Sequence, residues 1–231
     1  MKTIGVLGGM GPEATAAFFA LLVKNTEASR DADHVPVIVC SLPQIPDRTE
    51  AILCGGRSPL PALVRGVETL ARAGADFAVM PCVSVHYFYK KLAARSPIPM
   101  INLLGETVAD VRKRLPGIRK VGLLATTGTV RSGIVAEAFR VAGIEVLVPD
   151  GRSQRRVMNA IYGKRGVKAG VTGGSPRKAL LAAASGLVRR GARAIVRFLD
   201  PMYIAARVCI RRAGGRLRRP TRPQNPSAQG D

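Results

Sequence analysis

At 231 residues, 47% of them hydrophobic, the chain is long enough to bury a substantial core and to hold one large or two small domains. It has no run of eighteen apolar residues that would indicate a membrane span, and the apolar opening at residues 4–7 is too short before Gly8 and Gly9 for a signal peptide. Residues 1–110 balance ten Lys/Arg against ten Asp/Glu, so the whole formal charge of +21 lies in residues 111–231, where 26 basic side chains face 5 acidic ones.

In chain order the pattern is strand, turn, helix, repeated. Residues 3–7 read as a strand, Gly8-Gly9-Met10-Gly11-Pro12 as a tight turn, and residues 13–23 as a helix with Pro12 at its first position. Residues 35–40 form the next strand. A proline-rich loop over 41–49 carries Gln44, Asp47 and Arg48, and residues 58–73 form a helix that stops at Gly74. Residues 75–80 have the apolar density of a strand buried on both faces, and residues 87–92 begin an amphipathic helix. A short strand at 98–102 and a helix at 105–115 close the first series.

A second series opens with a strand at 120–125 and the turn Thr126-Thr127-Gly128-Thr129. It continues as a helix to about 142, a strand at 145–148, a helix from Ser153, a loop at 163–174, a helix at 176–190, a strand at 192–199 and a last helix at 204–212. Two βα series of this kind predict two similar doubly wound α/β domains, each with a mainly parallel sheet, and a site between them. The expected division is 1–105 with 202–213, then 106–201. Residues 214–231, rich in Arg, Pro, Gln, Ser and Gly without periodicity, read as a disordered basic tail.

The candidate chemistry centres on Met80-Pro81-Cys82-Val83-Ser84-Val85-His86. Cys82 falls on a strand-to-helix turn, at the carboxyl end of a strand, where an α/β sheet borders its ligand crevice and the next helix favours an anion. A thiol there can serve as nucleophile, proton carrier or metal ligand; a small buried hydrophobe is the commoner fate of a free cysteine. Cys40, Cys54, Cys82 and Cys209 have no CxxC spacing, which favours reduced thiols in a cytoplasmic protein over disulfides or a zinc site. The glycine turn around Met10 and the threonine turn at Thr126, Thr127 and Thr129 offer backbone N–H groups to an anion. Arg48 can take a carboxylate in a two-pronged bond or simply sit solvated. Lys168, between Gly166 and Gly170, is either a ligand or a surface lysine, and His86 either packs its helix or handles protons. The basic second half attracts polyanions, but few aromatics and no zinc-finger or helix-turn-helix pattern argue against a specific nucleic-acid role.

Together, Gly5-Val6-Leu7-Gly8-Gly9-Met10-Gly11-Pro12-Glu13-Ala14-Thr15, Gln44 to Thr49, Met80-Pro81-Cys82, His86, Leu124 to Thr129, Ala160-Ile161-Tyr162 and Val167 to Gly170 resemble the aspartate/glutamate racemase superfamily, nearest to its aspartate racemases. The likeness runs from Met1 to about Val196. It implies two pseudo-symmetric α/β domains with the last helix folded back on the first, a homodimer, and racemisation of an acidic amino acid without cofactor or metal. Two cysteines on opposite sides of the α-carbon would act as base and acid. On this resemblance Cys82 is one of them, Arg48 grips the side-chain carboxylate, and Lys168 lies beside the substrate. Met10, Val83, Ser84, Val85, Thr126, Thr127 and Thr129 hold its α-carboxylate and amine.

The chain departs from the family pattern twice. Val83-Ser84-Val85 stands where the family has Asn-Thr-Ala, replacing an orienting amide by an alkyl group. The Gly-Cys-Thr-Glu turn that carries the second cysteine is absent, and the strand at 191–196 runs straight into Arg197 to Tyr203. Asp200 is the expected substitute acid, although a carboxyl there must stay protonated near neutrality to return a proton. Three readings follow: an aspartate-racemase-type enzyme acting on aspartate or glutamate, an impaired homologue that binds an acidic amino acid or dicarboxylate, and a polyanion binder resting on the basic half alone.

Overall fold

The computed structural model describes residues 1–171, 173–195 and 201–218. Strand β1 (Ile4–Gly8) is buried along its whole length. It lies parallel between β2 (Val37–Ser41) and β3 (Phe77–Val79), with Ile4 opposite both Val37 and Phe77. Parallel neighbours require long crossovers, supplied by helices α1 (Pro12–Asn25) and α3 (Leu60–Arg72). In the second half β4 (Lys120–Gly122) lies parallel between β5 (Glu145–Leu147) and β6 (Ala194–Ile195). Each series therefore forms its own three-stranded parallel sheet with the opening strand at the centre, the doubly wound pattern expected from the repeated strand-turn-helix order.

Several elements differ from the sequence expectation. The loop through Arg48 is interrupted by a short helix α2 (Arg48–Leu53), whose N-cap Asp47 accepts a 3.0 Å bond from Glu50 N–H. Residues 84–93 form a 3₁₀ turn (Ser84–Phe88) followed by α4 (Tyr89–Ala93). The expected strand at 98–102 is reduced to one parallel bridge, Met100 to Ala78. Helix α5 (Leu103–Arg114) starts two residues early because Asn102 caps it, accepting from Gly105 N–H. The single helix expected after the threonine turn is two, α6 (Thr127–Arg131) and α7 (Ile134–Arg140), separated by Gly133 at φ +68°. Helix α8 (Gly151–Tyr162) is capped by Asp150, a 3₁₀ turn (Val167–Ala169) interrupts the following loop, and α9 (Gly174–Arg189) precedes β6.

Helix α10 (Pro201–Arg212) packs with α1 and α5, and its Ala205, Ala206, Cys209 and Ile210 are buried. They belong to one core that also takes Ile4, Val6, Phe18 and Phe77 from the first half and Val121, Val135 and Phe139 from the second. The two sheets thus share hydrophobic packing, and fully buried aromatics such as Phe18 and Phe139 contribute roughly 1.5–3 kcal/mol each. A second cluster built on Leu63, Val67, Leu70 and Met80 lies beneath α3, and a third built on Val157, Leu180 and Leu187 lies beneath α8 and α9.

The basic tail is not disordered from its first residue. Arg216 C=O accepts from Glu27 N–H, Arg218 N–H donates to Asn25 C=O, and Leu217 bridges antiparallel to Thr26. Backbone pairing holds these residues against the end of α1 although their composition offers no strand pattern. Residues 219–231, and the end of the strand expected at 192–199, lie outside the described residues. No helix among the described residues is long and apolar enough to cross a membrane.

Candidate active site

The loops that leave the carboxyl ends of the strands stand where open α/β sheets bind ligands. Three such loops come from the first half: the glycine turn after β1, the segment leading to α2 after β2, and the Cys82 turn after β3. The threonine turn after β4 comes from the second.

The glycine turn is built tightly. Thr15 Oγ1 accepts from Gly9 N–H at 2.9 Å and donates to Gly11 C=O at 3.0 Å, so one of the turn's N–H groups is already engaged. Gly9 has φ +90° and lies close against the Leu42 backbone, a position that admits no side chain. Met10 is buried, and its carbonyl accepts from Arg48 Nη2 at 3.2 Å.

Arg48 is neither solvated nor in a loop. It is the first residue of α2, only 6% exposed, and its Nη1 donates to the carbonyls of Ile45 (3.3 Å) and Pro46 (3.1 Å). Three backbone acceptors thus fix the guanidinium, while buried Nε has no partner. An orphaned buried N–H carries a desolvation cost of about 1–3 kcal/mol that an anion would relieve.

Cys82 is half-buried, with its Sγ 3.4 Å from Ser84 Oγ. Val83 and Ser84 are half-buried as well, whereas Val85 is fully buried and belongs to the core beneath α3. The turn is fastened from behind by His86. Its Nδ1 lies 2.8 Å from Cys82 C=O, an atom that can only accept, so the proton is on Nδ1. Nε2 is then free to accept from Leu103 N–H at 3.3 Å, the first residue of α5. Burial of the ring pushes its pKa down to about 4, and it stacks on Tyr89 at 5.6 Å. His86 is therefore a neutral strut between the cysteine turn and α5, and not a proton carrier.

Thr126 caps α6 through Thr129 N–H, and its hydroxyl lies 3.1 Å from that of Thr129, which is 2% exposed. Thr127 N–H points to Met158 Sδ at 3.1 Å. The two halves meet here: a Cβ built on Gly128 would lie 2.7 Å from Thr49 Oγ1 and 2.9 Å from Thr49 Cα, so glycine permits α6 to rest on the start of α2 beside Arg48. Gln154 of α8 braces the same turn, donating through Nε2 to Ala125 C=O (3.0 Å) and Thr127 Oγ1 (3.3 Å), and its buried Oε1 has no partner.

The structure thus brings Met10, Arg48 and the threonine turn together, and Cys82 with Ser84. Lys168 is exposed, and both its hydrogen bond (3.2 Å to the hydroxyl) and its cation–π contact (4.3 Å) go to Tyr162 and not to the Cys82 turn. Asp200 lies outside the described residues. The bracing by Gln154, the contact of Gly128 with Thr49 and the strut role of His86 are not legible in the sequence, because helical spacing alone does not reveal which loop a side chain braces. Of the other thiols, burial raises the pKa of Cys40 and pushes Cys209 up to about 12, so Cys209 is packing; Cys54 is exposed at the end of α2. Among the described residues no group of three His, Cys, Asp or Glu is placed to hold a metal.

Known proteins share this fold. An aspartate racemase from Picrophilus torridus superimposes with a TM-score of 0.82 at 29% identity, covering 94% of this chain and 96% of that one. An aspartate racemase homologue from Pyrococcus horikoshii OT3 gives 0.66 at 19%, covering 93% and 100%, a likeness of fold. In sequence, the broad specificity amino-acid racemase RacX of Bacillus subtilis (strain 168) is 28% identical over 153 residues, 64% of this chain. The chain spans 64% of the length of that relative. The Asp/Glu/Hydantoin racemase family matches residues 7–196, from the end of β1 to just past β6, and the chain belongs to that family.

Proposed function

We propose that the protein is a cofactor-independent amino-acid racemase of the aspartate racemase type, moving the α-proton of aspartate or glutamate through Cys82. The observation that carries this reading is Cys82 itself, a half-buried thiol on a strand-end turn held rigidly from behind by a neutral histidine. Arg48 supports it as the group to grip a substrate carboxylate, because three carbonyls orient a buried guanidinium whose Nε remains available. A zwitterion needs donors for its carboxylates and an acceptor for its ammonium group, and Gln154 Oε1 supplies an acceptor beside the threonine turn.

An amino-acid α-proton is very weakly acidic, so the site must stabilise carbanion charge with fixed donors. As thiolate, Cys82 removes the proton from one face; inversion requires a second group to return one from the other face. With the family's second cysteine missing from the sequence, Asp200 is the proposed substitute. Without a working second group the site is a one-base remnant that binds an acidic amino acid and exchanges its α-proton on one enantiomer only.

Proton NMR of L- and D-aspartate, then glutamate, in heavy water with parallel chiral analysis tests this reading. Exchange with inversion, abolished in Cys82→Ala, supports the racemase. Exchange of one enantiomer without inversion supports the one-base remnant, and no exchange of either amino acid refutes proton transfer on these substrates.

A further inference from the structure

Away from the crevice, α8 and α9 enclose a concavity of about 600 Å³. Five cations line it: Arg152, Arg155 and Arg156 from α8, and Lys164 and Arg165 from the loop after it. Spacings of three and four residues put the arginines on one face of α8, while Gln154 and Met158 on another face brace the threonine turn. The groove and the crevice therefore use different sides of the same helix.

Among the described residues none of the five cations makes an ion pair; the pairs found there are Arg30–Asp33, Arg114–Asp110, Lys120–Glu145 and Arg140–Glu137. Along the chain the nearest carboxylate is Asp150, the N-cap of α8, which accepts from Ser153; beyond it residues 151–195 contain eleven Lys/Arg and no Asp or Glu. Like charges three and four residues apart on a helix repel.

The opposite wall adds to the same field. Ser175 and Pro176 of α9 line the groove, and this sixteen-residue helix begins without a side-chain cap and without an acidic residue in its first turn. Arg177 stands in that turn instead and Lys178 directly after it, the sign that the positive end of a helix disfavours. Buried Ala160 and Pro176, with half-buried Ala179, give the groove an apolar floor. The volume is within the range of small-ligand sites, roughly 300–1,000 Å³.

We infer that the groove between α8 and α9 binds a small ligand carrying two or more phosphate groups, with the α8 arginines and Lys164–Arg165 as its counter-charges. One phosphate would neutralise too little of a five-cation concavity; a chain of two or three spans it and also reaches the N–H groups at the start of α9, which have no acceptor within their helix and no side-chain cap. A nucleoside triphosphate and an inorganic polyphosphate share this chemistry, and the apolar floor offers a base a place to rest.

Isothermal titration of the full chain with tripolyphosphate and, separately, ATP, in about 50 mM salt where surface fields are weakly screened, tests the inference. Tripolyphosphate is expected to bind one per chain, and the double variant Arg155→Gln/Arg156→Gln to weaken it by about tenfold or more. The Arg155→Lys/Arg156→Lys variant, which keeps the charge, should recover part of that loss. Arg112→Gln/Arg119→Gln, the same charge change at a different surface cavity, should bind like the parent. Tighter binding of ATP identifies the ligand as a nucleotide; equal binding identifies the phosphate chain alone. Absence of binding up to about 1 mM, equal weakening by both Gln double variants, or tighter binding of a single-stranded oligonucleotide at the same arginines would each overturn it.

Discussion

The buried imidazole of His86 makes the stability of this protein depend on pH in a defined window. In the unfolded chain the ring titrates near 6.5, whereas in the folded protein burial pushes it down to about 4. Between these values the unfolded chain binds a proton that the folded one excludes, so stability is full above about 6.5 and falls as the pH drops toward 4. Linkage gives a loss of about 2 kcal/mol between pH 8 and pH 5, approaching about 3 kcal/mol below pH 4. The surface carboxylates of half-buried Asp33 and exposed Glu137 and Asp150, all held below their ordinary values mainly by hydrogen bonds, titrate at lower pH and are common to parent and variant. Urea unfolding of the parent and of His86→Gln at pH 8, 6.5 and 5 isolates the imidazole, since glutamine offers a donor and an acceptor and does not titrate. The parent is expected to lose about 2 kcal/mol more than the variant across this range. Parallel losses, agreeing within about 0.5 kcal/mol, would refute the neutral-strut account of His86.

Gly128→Ala drives a methyl group into Thr49 at the contact between the two halves, and should destabilise the fold by about 1–3 kcal/mol in denaturant titrations. Because that contact adjoins Arg48, the variant should also weaken aspartate binding; unchanged stability and binding would show that α6 and α2 do not rest on each other in solution. Arg48→Lys removes the fork that serves three carbonyls and should cost about 1–3 kcal/mol of stability, because the acceptors of Met10, Ile45 and Pro46 are left under-satisfied. Calorimetry with aspartate on the same variant is expected to show lost binding, and retained binding would remove Arg48 from the substrate site.

The strand-turn-helix order was legible because its signals are local. Apolar runs bounded by glycine turns mark β1 and β3, and Pro12 marks the first residue of α1. Placing Cys82 at a strand end needed only the apolar run before it. Local signals also explain the errors. Asp47 capping a helix across the proline-rich loop, and Gly133 dividing one helix into two, each turn on one residue's backbone geometry, which composition does not rank.

By itself the sequence determined the family, the α/β class, the position of the candidate thiol and the confinement of excess charge to the second half, since each depends on residue identity and near-neighbour spacing. The tertiary structure decided what those residues touch. It buried Arg48 under three carbonyls that lie 38, 3 and 2 positions away, and tied the Cys82 turn to α5 through a histidine 17 positions from its partner. It also set Gly128 against Thr49 and gathered the cations of α8 and the following loop into one groove. Such contacts arise when long crossovers return the chain on itself, and the hydrophobic core shared by both sheets, not the local pattern, fixes where that return brings each side chain.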